Sequence, residues 1–321
     1  MSKAQITIFS GNNAYLPLTE EGITWETQRK NSPSVLRFKV LKDSIISFTE
    51  GDAVKLSVDG KDIFYGFVFT KSRDKDHRIT VTAYDQLRYF KNTDTYRYEN
   101  KTATSFIKQL AGDFKLNTGT LEDTKYVIPK RIESDVSLFD MVQNALDETL
   151  IQTNKMYVLY DDCGKLTLKN IESMRLNLLI ADETAQNFAY ESSIDKQTYN
   201  RIKLVKETEN EIDEQLQEYV ITSESANKWG ILQYTHKMKN MINLKETAQN
   251  LLSLYDKRTR TLSIDNVFGD IRVRAGVSLP IYLNIGDMIL NNYMIVESVK
   301  HTFKNEEHFM DLTLRGGEFI G

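Results

Sequence analysis

"GDAVKLSVDGKDIFYGFVFTKSRDKDHRITVTAYD", residues 51–85, decides how the chain is read. Val54, Leu56 and Val58 alternate with Lys55 and Ser57. Successive side chains of a strand point to opposite faces, so this spacing gives one apolar and one polar face. Asp59-Gly60 then supplies a two-residue hairpin turn, whose central positions need positive φ. Ile79, Val81 and Ala83 give the closing strand its apolar face. Upstream, "VLRFKVLK" (35–42) sets Leu36, Phe38 and Val40 against Arg37 and Lys39 in the same way. Short strands, tight turns and no helical period predict a small antiparallel barrel or sandwich over residues 1–95.

Beyond residue 96 the period changes. In "TATSFIKQLAGDF" (102–114) the residues Ala103, Phe106, Ile107, Leu110, Ala111 and Phe114 recur at helical spacing, with Thr102 as cap. "SLFDMVQNALDETL" (137–150) opens with Ser137 and carries Asp140 three residues on, a capping-box variant; its buried stripe is Leu138, Met141, Val142, Ala145 and Leu146. "KMYVLYDDCGKLTLKN" (155–170) reads as two strands around an Asp161-Asp162-Cys163-Gly164 turn. Residues 96–198 are therefore expected to form a small mixed α/β domain.

Alternation returns in "YNRIKLVKE" (199–207). The acidic run 207–219 carries six carboxylates and reads as a solvated loop or hairpin tip. One helix is expected near 243–257, with Asn243 as cap and Leu244, Ala248, Leu251, Leu252 and Tyr255 as its stripe. The strands "TRTLSIDNV", "VRAGVSLPIYL", "GDMIL", "NYMIVESVKHTF" and "HFMDLTLR" follow, so 199–321 is expected to be a second β domain with an inserted helix. Residues 51–85 and "GDMILNNYMIVESVKHTFKNEEHFMDLTL" (286–314) both begin Gly-Asp and continue as strand, turn, longer strand, charged turn and alternating strand. They read as a duplication.

Composition narrows the chemistry. Forty-one basic and 45 acidic residues leave a formal charge of −4, which gives no global field for nucleic acid or an anionic membrane. No apolar run reaches membrane-spanning length and the N-terminus lacks signal-peptide blocks, so a soluble chain made in the cytoplasm is expected. One cysteine, Cys163, forbids an internal disulfide. His301 and His308 are the strongest metal or acid/base candidates. A catalytic metal would still need Glu306 or Glu307 at the hairpin tip as a third ligand, and a polar hairpin is the stronger reading. Cys163 has no local base, while Glu20-Glu21 and Asp161-Asp162 show no sign of facing each other across a cleft. His236 near Trp229 reads as packing at a domain edge, and the basic runs 71–78 and 255–260 as solvated turns. No catalytic, cofactor-binding or metal residues are assigned, and no enzyme activity is expected.

The order of these pieces resembles a family. Residues 51–92, "KWGILQY" (228–234), "KRTRTLSIDNVFGDIRVRAGVSLPIYL" (257–283) and "NYMIVESVKHTFKNEEHFMDLTL" (292–314) together resemble the tail hub, or baseplate hub, proteins of contractile phage tails and phage-tail-like bacteriocins. This is the XkdQ/YqbQ-like family. The resemblance implies an α+β, β-rich fold: two tube-protein-like antiparallel β-barrel domains with a small mixed α/β domain between them. It implies a homotrimer of pseudo-sixfold character that joins a sixfold tail tube to a threefold central spike. The implied partners are the spike, the tail tube or tube-initiator protein, and tape-measure and baseplate wedge proteins, with no membrane and no sequence-specific nucleic acid. The alternatives set beside it are a peptidoglycan hydrolase and a glycan-binding tail component.

Overall fold

The computed structural model describes residues 2–43, 45–76, 78–182, 184, 187–206, 217–238, 243–286 and 288–316. Most of the acidic run (207–216), His77 of the basic turn and Asp287 of the second Gly-Asp lie outside the described residues.

The first lobe contains β1 (Ala4–Ser10), β2 (Asn13–Tyr15), β3 (Ile23–Gln28), β4 (Val35–Leu41), β5 (Ala53–Val58), β6 (Lys61–Arg73) and β7 (Arg78–Tyr84). The opening stretch is the meander β5-β6-β7, turning at Asp59 and Gly60, both with positive φ (51° and 80°). Its apolar face, which includes Phe64, closes on Trp25, Phe38 and Phe48. Next come β8 (Thr93–Thr102), α1 (Ala103–Asp113), β9 (Thr118–Leu121), β10 (Val127–Ser137), α2 (Leu138–Thr153), β11 (Tyr157–Asp161) and β12 (Leu166–Asn170). Thr102 and Ser137 cap the helices as their sequence implies, each side chain accepting from the backbone N–H three residues on. β8 and β10 form a long antiparallel ribbon that the period-two reading left out, because most of its side chains are exposed on both faces.

The third part holds β13 (Ile180–Ala181), β14 (Asn187–Ser193), β15 (Arg201–Lys206), β16 (Glu218–Thr222), a one-turn helix α3 (Ala226–Trp229), β17 (Gln233–Met238) and α4 (Leu244–Tyr255). β18 (Thr259–Phe268), β19 (Ser278–Asn284), β20 (Ile289–Lys304) and β21 (Glu307–Gly316) complete it. Sheet membership differs from the boundary expected at 198/199. β13 and β14 already pair with β19 and β18 of the second lobe. Conversely, β15, β16 and β17 make a separate small sheet covered by α4. The physical reason is hydrogen bonding: β14 reads as polar, yet its backbone completes the second lobe's ladder. Asn243 precedes α4 with φ 54° and offers its carbonyl, not its side chain, to the first turn. The stripe of α4 also includes Thr247 and Leu254, both buried, while Leu244, Leu252 and Tyr255 are half-covered.

The fold is α+β and β-rich, and its two lobes share one sheet in the order β14-β18-β21-β20-β3-β4-β7-β6-β5-β1-β2, with β19 also on β20. The duplication is legible in its registers. Val68 bonds back to Gly51 and Asp52, as Val296 bonds to Gly276 and Val277. A bulge follows at once in both lobes, between Val68 and Thr70 and between Val296 and Ser298. Counting from these anchors, Tyr84 matches Arg315, Leu36 matches Leu262, Leu41 matches Phe268, and β3 matches β14 with Trp25 on Tyr190. The equivalent of Gly51 is Gly276, with φ 91° and 96°, and not Gly286 as the Gly-Asp pairs suggest. Gly286 instead sits at the turn after β19, in the place of Gly60.

Candidate functional site

The long strand β20 does two jobs. Residues 289–295 pair with β19, and residues 298–303 pair with β3 of the first lobe. This second pairing is the seam between the lobes, and three groups of buried polar side chains lie along or beside it.

His301 and His308 come together there. In this register the hairpin turns at Asn305-Glu306, both with positive φ, and Phe303 faces His308. His301 Nε2 is 2.9 Å from the Val273 carbonyl, which can only accept, so this nitrogen carries the proton. Its Nδ1 therefore accepts from His308 Nε2 at 2.8 Å. Trp25 stacks on the His301 ring at 4.7 Å and Phe303 on His308 at 4.3 Å. Burial, and then the neighbouring imidazole, push His301 down to about 3; burial pushes His308 down to about 4. Both rings are neutral and consumed by each other. Glu306 and Glu307 stay exposed at the tip, and no group of three metal-ligating side chains occurs among the described residues.

Arg29 is the second lock, and sequence reasoning missed it because its partner lies 268 positions away. Its Nε and Nη2 each donate to Glu297 at 2.9 Å, a bidentate pair with side-chain exposures of 5% and 27%. A third polar knot joins both lobes to the middle segment. Asp85 accepts from Ser34 and Leu87 backbone N–H groups, and Gln86 donates to Asp161 at 2.8 Å. Arg274 donates to the Asp161 carbonyl at 2.8 Å and lies 3.7 Å over the Tyr160 ring. Burial and then the Asp161 carboxylate raise Asp85 well above the usual carboxylate range.

The other candidates disperse. Glu20 pairs with Arg78, while Glu21 accepts from the Asn305 backbone. Asp161 is buried and Asp162 points to solvent, so neither carboxylate pair converges. Burial, then Asp62, Asp161 and Asp162, push the Cys163 thiol up to about 11, the opposite of nucleophile activation. His236 stands on β17 beside Tyr234, not Trp229, and burial lowers its pKa.

The profile of the YqbQ-like family matches residues 23–315. The chain belongs to this family. YqbQ of Bacillus subtilis (strain 168) is 31% identical over 311 residues, covering 93% of this chain and 92% of that protein. The phage-like element PBSX protein XkdQ of the same organism is 29% identical over 308 residues, covering 93% of each chain. Among solved structures, the 43 kDa tail protein of prophage MuSo2 from Shewanella oneidensis aligns with a TM-score of 0.72 at 10% identity, covering 99% of this chain and 100% of that one. A tail protein from Neisseria meningitidis MC58 aligns with a TM-score of 0.73, also at 10% identity, covering 98% and 97%. At such identity these two show that the YqbQ-like chain has the fold of tail proteins.

Proposed function

We propose that this YqbQ-like protein is the structural hub of a contractile tail baseplate, made in the host cytoplasm and assembled into the particle. It acts as a homotrimer of pseudo-sixfold character. The observation that carries this reading is that the two register-matched lobes are joined edge to edge in the same sense. β20 is antiparallel to β3, β3 to β4, β4 to β7 and β7 to β6, so β20 and its counterpart β6 run in parallel. Equivalent parts of both lobes therefore face the same end of the molecule, and three copies offer six equivalent faces. A threefold partner, the central spike, meets three chains, and a sixfold partner meets six lobes.

The exposed apolar residues support the second half of this. At the end of β4, Leu41 lies beside Leu18 and near Ile45, the latter two 73% and 75% exposed. At the matching end of β18, Phe268 is 72% exposed and stacks on Phe309. An apolar tip repeated once per lobe fits a sixfold docking partner, the tail tube or its initiator protein. The tape-measure and wedge proteins are assigned as neighbours on the resemblance alone. Glu20-Glu21 and Asp161-Asp162 do not converge, which speaks against a peptidoglycan hydrolase acting through either pair.

Size-exclusion chromatography with light scattering tests the ring. A trimer, alone or forming as concentration rises, is expected; a monomer at every concentration overturns the proposal.

A further inference from the structure

Among the described residues both partners of the seam have counterparts with an unpaired edge, β6 for β20 and β14 for β3. β20 carries β3 along residues 298–303, beyond its bulge. On β6 the matching segment, Thr70–Arg73, follows the matching bulge. No described strand lies on its outer side, where β5 stops at Phe67. Lys71 turns inward, its ammonium 4.7 Å over the Phe48 ring, and no backbone partner is found for this edge among the described residues. At one end of the sheet, β14, the match of β3, pairs among the described residues on one side only, with β18. Five of its seven residues, Asn187, Phe188, Ala189, Glu191 and Ser192, are exposed. Unpaired edges of this kind are templates for strand addition.

We propose that β14 of one copy pairs antiparallel with Thr70–Arg73 of the next, in the register that β3 uses on β20. This rests on the trimeric ring proposed above and names the contact that closes it. Transferring the register sets Ser193 opposite Thr70, Ser192 opposite Lys71, Glu191 opposite Ser72 and Tyr190 opposite Arg73. The side chains fit these places. Trp25 stacked on His301 becomes Tyr190 against the Arg73 guanidinium, a cation–π pair. Thr27 Oγ1 accepts from the Ala275 N–H at 2.9 Å; Ser192 keeps a hydroxyl there, beside Glu50, the match of Ala275. The Arg29–Glu297 ion pair becomes an apolar contact of Ile194 with Phe69. The contact is heterologous and repeats the rotation already present between the lobes, which is what a closed ring requires.

The test is disulfide trapping of the full chain with Ser72→Cys and Glu191→Cys, both exposed positions, on a Cys163→Ser background. Mild oxidation is expected to give covalent dimers and trimers and to stop at the trimer. Moving one cysteine by a single residue, Ser72→Cys with Ser192→Cys, puts the thiols on opposite faces and is expected to abolish the link. A non-covalent trimer that forms no disulfide, or that links equally in the shifted pair, overturns this pairing and leaves the hub standing. A monomer at every concentration removes the ring and the pairing together.

Discussion

The two lobes have the same ladder and different interiors. The first is filled largely by its own residues, with aromatic bulk from Trp25, Phe38, Phe48 and Phe64 and one visitor from β20, Phe303. The second has no phenylalanine in its buried core among the described residues; Met294, Met310 and aliphatic residues fill it, and it draws Met156, Val158, Tyr160, Ile171 and Met174 from the middle segment. Register, bulge and a left-handed glycine are kept, while the side chains that fill the space are exchanged. A fold repeat of this kind is stored in backbone geometry, and any set of apolar side chains of suitable total volume satisfies it. The second lobe is consequently tied to the middle segment in a way the first is not.

The sharpest way to break the comparison is at the seam, where the lobes meet. Glu297→Gln leaves the Arg29 guanidinium, 5% exposed, facing a neutral amide. Removing one partner of a buried ion pair costs about 3–5 kcal/mol, and the partial exposure of Glu297 favours the lower end, about 3 kcal/mol. Urea denaturation measures it. A loss under about 1 kcal/mol, the range of an exposed pair, would mean that backbone pairing alone holds the lobes together.

These features differ in how far the sequence disclosed them. The meander 51–85 was readable because one face is buried and one solvated, so alternation survives in the residues. The helix caps Thr102 and Ser137 were readable because capping is local. β14 was not, since "NFAYESS" lies at a sheet edge with most side chains in solvent and only its backbone committed. The partners of Arg29 and Arg274 were hidden because both contacts cross long stretches of chain. The histidines at 301 and 308 could be placed on one hairpin, but their contact required the register, and the register required the turn at Asn305-Glu306. The Gly-Asp repeat misled because the dipeptide suits both a strand entry and a hairpin turn, whereas the structural equivalence follows the hydrogen bonds of Gly51 to Val68 and of Gly276 to Val296.

Acid sharpens the comparison next, because the histidine pair belongs to the seam and has no counterpart at Arg73. Both imidazoles have folded-state pKa values, about 3 and about 4, below the unfolded value of about 6.5. The unfolded chain therefore binds protons first, and stability is lost as pH falls from about 6.5 towards 4. Asp85, raised in the folded state, contributes with the opposite sign, its share fading as pH rises above the unfolded carboxylate value. Comparing the parent with His308→Gln cancels Asp85. The parent is expected to lose on the order of 2 kcal/mol more than the variant between pH 6.5 and 4.5. Equal slopes in denaturant melts across that range would show that the pair is not held neutral by the fold.

The smallest expected effect separates the lobes themselves. Gly51 and Gly276 occupy the same place, ahead of β5 and β19, with φ of 91° and 96°. Alanine at either position strains the backbone by about 1–2 kcal/mol, since an L side chain disfavours that region. At Gly51 nothing else lies within 4 Å of the added carbon. At Gly276 the methyl meets Val158 Cγ1 at 3.0 Å and Cγ2 at 3.2 Å. Val158 is stiff at χ1 and buried in the second lobe's core, so it yields little, and crowding adds about 1 kcal/mol. Gly276→Ala should therefore destabilise by about 1 kcal/mol more than Gly51→Ala, read as paired denaturation midpoints. The difference isolates the pressure of β11 on the second lobe, because the backbone strain is common to both substitutions. Equal losses would mean that β11 gives way, and that the second lobe is as self-contained as the first.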